Sequence, residues 1–217
     1  VTLVTNNIFN LANEEVVDGL TIYRFDCKPY LGGRFPIAIK NEVFKRIDQK
    51  LNAAQFDLIF INARFYLHSL YAARLAKRKG VPCLTVEHGT SHLSVNNKVL
   101  DFFGGVLEHI ITAVLKRYCH NYYGVSESAC EWSGHFGIKS KGTLYNTVDA
   151  DEIEELLKGE NRSFRKEYGI SDDCKIITFT GRLLKEKGLY ELLEAKSNLQ
   201  CKNCKLLIAG VGPLQKG

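Results

Sequence analysis

Arg182 and Lys187 stand in the run Phe179-Thr-Gly-Arg-Leu-Leu-Lys-Glu-Lys-Gly188, directly after a stretch that reads as a buried strand and directly before one that reads as a helix. In open α/β sheets, ligands bind outside the carboxyl ends of the strands, which is where this turn belongs. A helix N-terminus adds free N–H groups and a positive dipole end. Arginine offers a planar bidentate fork and lysine a point charge, a pair suited to clamping a diphosphate. A solvated basic turn would carry the same residue types, so the residues alone leave both readings open.

Two other runs look chemical and are weaker. Gly210-Val-Gly-Pro-Leu-Gln215 begins like a dinucleotide fingerprint, but Gln215 occupies its sixth position, which argues against a nicotinamide enzyme. Cys201 and Cys204 form a single C-x-x-C. A tetrahedral zinc site needs four ligands and no second pair stands nearby, so no metal site is expected.

These residues are carried by short β-branched runs alternating with helical stretches, the pattern of an α/β fold with parallel sheets. Strands are expected at residues 2–5, 20–25, 58–62, 83–87, 122–125, 143–145, 175–180 and 205–209. Helices are expected near 37–54, 66–79, 98–119, 127–136, 150–158, 162–168 and 187–199. In the third helix Val99, Phe102, Phe103, Val106, Ile110, Ile111 and Leu115 recur at helical spacing. Packing on a sheet is the expectation for such a stripe, and an interfacial helix lying on a membrane is the alternative. A domain boundary is expected near 145–150, giving units at 1–145 and 146–217.

The chain has 217 residues, 45% of them hydrophobic and 24% charged. That is enough to bury a core without disulfides, and disordered, collagenous and membrane-spanning classes are excluded by composition. Seven scattered cysteines do not form a disulfide framework and suit a reducing compartment. The net charge of +5 arises entirely in residues 1–145, where 17 Lys and Arg face 12 Asp and Glu, and all six histidines lie there as well. Such a basic half fits an anionic partner or plain solubility. No stacking motif or basic stripe supports nucleic-acid binding. With no methionine and Val1 at its head, the chain is expected to be a fragment.

Taken in order, Glu87-His-Gly89, Gly124-Val-Ser-Glu-Ser128, Tyr145-Asn-Thr-Val-Asp149, Thr180-Gly-Arg-Leu183 with Lys187-Gly188, and Gly210-Val-Gly-Pro213 resemble the GT-B glycosyltransferases of family four. That resemblance implies two Rossmann-like domains facing across a cleft, the first holding the acceptor and lacking its opening strand, the second holding the donor and present only as its first βαβ part. It assigns Gly181, Arg182 and Lys187 to the donor diphosphate. It places Glu87, His88 and Gly89 at a strand end facing the acceptor, with His88 as the candidate catalytic group able to bond a sugar hydroxyl. A histidine satisfied by loop backbone is the plain alternative. Ser126 and Glu127 follow another strand and would line the same cleft, although Ser126 before a helix is first of all an N-cap. Thr147 stands where family members commonly have glycine.

The activity so implied is retaining transfer from a UDP- or GDP-linked sugar, with no cofactor and no bound metal, to a glycan or lipid-linked acceptor in surface polysaccharide synthesis. The location expected is cytoplasmic and peripheral on the inner membrane face. Arg34 and Phe35, in Pro29-Tyr-Leu-Gly-Gly-Arg-Phe-Pro36, pair a cation with an aromatic suited to a membrane interface, and Lys116 with Arg117 ends the amphipathic helix. A sugar-nucleotide epimerase or phosphorylase of the same architecture, or a noncatalytic membrane-binding module, are the alternatives.

Overall fold

The computed structural model describes residues 1–95, 97–159, 163–201 and 203–216, the side chain of residue 216 excepted. The chain forms two compact units, Val1–Thr147 and Val148–Gly217.

The first unit opens with strands β1 (Thr2–Asn7), β2 (Glu14–Val17), β3 (Leu20–Tyr30) and β4 (Phe35–Ala38). β3 is the hub. It runs parallel to β1 from Thr2 opposite Thr21 to Asn7 opposite Asp26, and antiparallel to both β2 and β4. Helix α1 (Glu42–Ala53) lies against β3, with Ile47 and Leu51 packed on Phe25. The Asn41 side chain starts this helix by accepting from Phe44 N at 3.0 Å.

The rest of the unit alternates strand and helix: β5 (Ile59–Asn62), α2 (Leu67–Lys79), β6 (Cys83–Glu87), α3 (Lys98–Leu115), β7 (Tyr122–Gly124) and α4 (Glu127–Gly134). The three strands form a parallel sheet in the order β5-β6-β7, as helical crossovers require. Gly80, at φ +67°, ends α2 in the left-handed conformation that favours glycine. Among the described residues β1 pairs only with β3 and β5 only with β6. A groove of about 890 Å³ separates them, lined by both strands and by His68 and Leu75 of α2.

Several expectations need correction. Residues 37–41 do not belong to the first helix: Phe35–Ala38 pairs with β3, and Pro36, which lacks an N–H, is tolerated because β4 is an edge strand. Residues 143–145 make one isolated bridge, Gly124 to Thr143, rather than a strand. β2 was not expected at all. The core reading of α3 holds only for its last turns, where Ile111, Thr112 and Leu115 are buried. Phe102 and Phe103 are 67% and 63% exposed, and Val99, Leu100, Val106, Leu107 and Ile110 are exposed too.

In the second unit α5 (Ala150–Lys158) and α6 (Phe164–Glu167) precede the parallel pair β8 (Lys175–Thr180) and β9 (Cys204–Ala209). A 3-10 turn, Lys185–Lys187, and α7 (Leu189–Asn198) connect those strands. Among the described residues, Ile170, Cys174, Leu183 and Leu189 are its buried apolar ones. Part of the expected helix at 162–168 lies outside the described residues; the described part is α6.

Candidate functional site

Glu87 ends β6, and its carboxylate turns back on its own chain. Oε1 accepts from the N–H groups of His88 at 3.1 Å and Gly89 at 2.9 Å, which fixes the turn after the strand. Oε2 lies 2.8 Å from Arg64 Nε as an ion pair. Glu87 is therefore 2% exposed and does not face an acceptor. A carboxylate taken out of water needs a charged partner, and Arg64 supplies it. Gly89 has an ordinary φ; a Cβ there would sit 3.4 Å from Glu87 Oε1, so its value lies in close approach to the carboxylate.

Arg64 is the centre of this region and nothing in the sequence singled it out. It is 1% exposed, its Nη2 lies 2.6 Å from Glu108 Oε1, its Nη1 donates to Thr112 Oγ1 at 3.0 Å, and its guanidinium stacks 3.4 Å above the Phe136 ring. Glu108 in turn reaches His92 Nδ1 at 2.6 Å through Oε2. The chain Glu87, Arg64, Glu108, His92 thus runs from the turn after β6 through the start of α2's entry loop to α3 and back to the loop that follows β6.

His88 is exposed at the head of this network, and its Nε2 lies 3.1 Å from Asn62 Oδ1 at the end of β5. Its turn is held rigidly while its ring stays open to solvent. Ser126 caps α4, its hydroxyl accepting from Ala129 N at 3.2 Å, and Glu127 is exposed in the first turn, where the helix dipole favours a carboxylate. Gly124 has a steric reason to be glycine, because a Cβ would sit 2.6 Å from Cys130 N. Glu87, His88, Gly89, Ser126 and Glu127 therefore occupy the carboxyl ends of neighbouring strands, since Glu87 pairs with Gly124 across β6 and β7.

In the second unit the loops after β8 and β9 interlock. Gly181 N donates to Ala209 O at 3.0 Å and Leu183 N to Val211 O at 3.0 Å. A Cβ on Gly210 would sit 1.8 Å from Gly181 O, and one on Gly212 2.5 Å from Leu183 O. This backbone contact holds Gly181 while Leu183 anchors the loop in the core. Arg182 and Lys187 are exposed, and among the described residues their side chains make no hydrogen bond or ion pair. Gly188, at φ +72°, then turns the chain into α7. The arrangement can offer two free cations and a helix start to an anion.

The sequence contains one Asp-x-Asp spacing, Asp149-Ala-Asp151. Asp149 is the N-cap of α5, its Oδ1 accepting from Asp151 N at 3.0 Å and Glu152 N at 3.2 Å. Its chemistry is thus occupied in capping.

The expected membrane loop is rearranged. Phe35 starts β4 with its ring 5.9 Å from that of Tyr66, so it is half-buried, and Arg34 donates to Ser94 O at 2.9 Å. Lys116 donates to Phe136 O at 2.8 Å and Gly137 O at 3.2 Å, tying α3 to the chain after α4. Tyr30, Leu31 and the outer face of α3 are exposed apolar groups.

Parallel strands joined by helices in both units, with glycine-bearing turns at their carboxyl ends, define a Rossmann-like α/β protein of GT-B type. The chain belongs to Glycosyltransferase Family 4, whose model matches residues 1–152. It is 38% identical over 74 residues to the uncharacterized glycosyltransferase MJ1607 of Methanocaldococcus jannaschii, a match covering 33% of this chain and 19% of that protein. Its fold is similar to that of Anabaena Alr3699/HepE solved in complex with UDP-glucose, with a TM-score of 0.56 at 16% identity over 89% of this chain and 48% of that one. The same Anabaena protein solved with UDP and glucose gives 0.55 at 16% identity, covering 89% and 49%. This chain therefore spans about half the length of the Anabaena protein. No helix among the described residues is long and apolar enough to cross a membrane.

Proposed function

We propose that the protein is a retaining glycosyltransferase that moves a hexosyl unit from a nucleotide-sugar donor to a glycan or lipid-linked acceptor. The observation that carries the donor half is the pair of exposed, unengaged cations Arg182 and Lys187 on the loop after β8. Charge develops on the departing diphosphate as the glycosidic bond breaks, and fixed positive groups stabilise that state more than the ground state. A UDP-linked donor is the first to try, because the Anabaena protein of the same fold was solved with UDP-glucose. His88, held by Asn62 and by the turn on Glu87, is the group offered to the acceptor hydroxyl.

The exposed apolar face of α3 favours a second element of the reading, peripheral attachment to a cytoplasmic membrane face where lipid-linked acceptors are reached. Apolar side chains enter the headgroup boundary, and each nearby cation adds on the order of 1 kcal/mol toward anionic lipid. The test is an assay of the full-length protein with UDP- and GDP-hexoses against lipid-linked and soluble glycan acceptors, with the anomeric configuration of the product read by NMR. Retained configuration and release of the nucleoside diphosphate support the proposal. Inversion, or turnover of the donor with no acceptor product, overturns it in favour of another sugar-nucleotide reaction.

A further inference from the structure

Three of the six histidines converge at one point. His92 comes from the loop after β6, His109 from α3 and His135 from the C-cap of α4, and one ligand nitrogen from each lies within 4.8 Å of the others. Their ring centroids are 5.5 Å apart for His92 and His109, 5.2 Å for His92 and His135, and 5.0 Å for His109 and His135. We propose that these three imidazoles bind a divalent transition-metal ion of the zinc class, with a fourth position open to water.

The surroundings favour a ligand over simple ring packing. Glu108 Oε2 holds His92 Nδ1 at 2.6 Å, so the proton sits on Nδ1 and the lone pair of Nε2 is free to ligate. A carboxylate behind a metal-bound imidazole does this, fixing its tautomer and raising its basicity. Arg64 brings one positive charge to two carboxylates, Glu87 and Glu108, so the buried network calls for positive charge on its His92 side. The C-terminus of α4, where His135 sits, adds a negative dipole end. Trp132 stacks on His135 with rings 4.8 Å apart and 6° from parallel, and Phe136 lies edge-on to His92 at 5.6 Å, forming an apolar wall behind the site.

Ligand type and geometry select the ion. Imidazole nitrogens suit zinc, copper, nickel and iron and do not suit magnesium or calcium. Tetrahedral ligation at about 2.0–2.1 Å sets nitrogen separations of roughly 3.4 Å, so even a pair at the 4.8 Å limit closes by about 1.4 Å. His109 and His135 are exposed and can rotate that far. A bound ion would staple the loop after β6 to α3 and α4, and the first two of these segments also carry His92 and Glu108 of the Glu87 network.

The test uses the full-length protein stripped of metal and titrated with Co²⁺, then with Zn²⁺ by calorimetry. The expected result is one saturable site with the visible d–d bands of tetrahedral cobalt and no intense thiolate charge-transfer band. His109→Ala and His135→Ala each lower Zn²⁺ affinity at least about a hundredfold while the far-UV spectrum is unchanged, and the rise in Tm with Zn²⁺ disappears in the double variant. No saturable Co²⁺ spectrum overturns the proposal. So does a thiolate band, which would move the site to the cysteines, or Zn²⁺ binding that the double variant leaves intact.

Discussion

Arg64 Nε and Glu87 Oε2 meet at 2.8 Å with both side chains almost fully buried. The pair joins α2's entry loop to the end of β6, and Glu87 spends its other oxygen on the backbone of His88 and Gly89. Removing one member of a buried ion pair strands the other charge, at a cost of about 3–5 kcal/mol. Arg64→Ala strands two carboxylates and is expected to fall at the upper end of that range in urea unfolding. Arg64→Met, which fills the volume, is expected to cost as much, because the charges and not the space are at fault. A loss below about 1 kcal/mol in both would show that water or another cation reaches Glu87 and Glu108.

Arg182→Ala and Lys187→Ala are expected to separate activity from stability. Exposed cations contribute little to folding, about 0–1 kcal/mol. Loss of one donor to a developing anion raises the barrier by roughly 3–4 kcal/mol, a hundred- to a thousandfold in kcat. Steady-state kinetics alongside thermal melts decide the matter: wild-type turnover in both variants removes these residues from the diphosphate.

Transfer is expected to continue when Mg²⁺ is withheld. The two cations would take the place of a divalent ion at the diphosphate, and Asp149 is committed to its cap. Turnover in magnesium-free buffer should equal that with added Mg²⁺, and strict dependence on added Mg²⁺ would sink this reading of the donor site.

The outer face of α3 makes the membrane proposal testable with little risk to the fold. Phe102→Asp with Phe103→Asp replaces two rings that are mostly in water already, so unfolding free energy should change by less than about 1 kcal/mol. Co-sedimentation with phosphatidylglycerol vesicles at low salt should drop at least tenfold. Equal binding by the variant would leave the helix as an ordinary surface, and no binding by the wild type would point to soluble acceptors.

His68 is expected to make stability fall on acidification. Its Nε2 donates to Val4 O at 3.1 Å beside the groove, and burial holds its pKa below the ordinary value. The unfolded chain then takes up a proton first as pH drops through about 6.5, so stability present above that pH is lost below it. Urea midpoints at pH 7.5 and 5.5 should show the loss, and His68→Gln, which keeps a donor without titrating, should reduce it. An unchanged slope in that variant would assign the effect to other groups.

Strands and helices are legible along the chain wherever hydrophobic period and turn chemistry agree, as in β6, β8 and α7, and the same local signals mark the turn carrying Arg182 and Lys187. Those features are local, written in residues a few places apart. Edge pairing is not local, so residue spacing carries no signal for β2 and β4 or for the place of Phe35 in a strand. A helical stripe shows that α3 has an apolar face and says nothing of what covers it; only the tertiary structure left Phe102 and Phe103 in water. Arg64, Glu108 and His92 carried no signal at all, since 44 residues separate Arg64 from Glu108 along the chain. Their meeting, and with it the inward turn of Glu87, was decided by packing, because a buried charge is tolerable only where the fold brings its counter-charge to it.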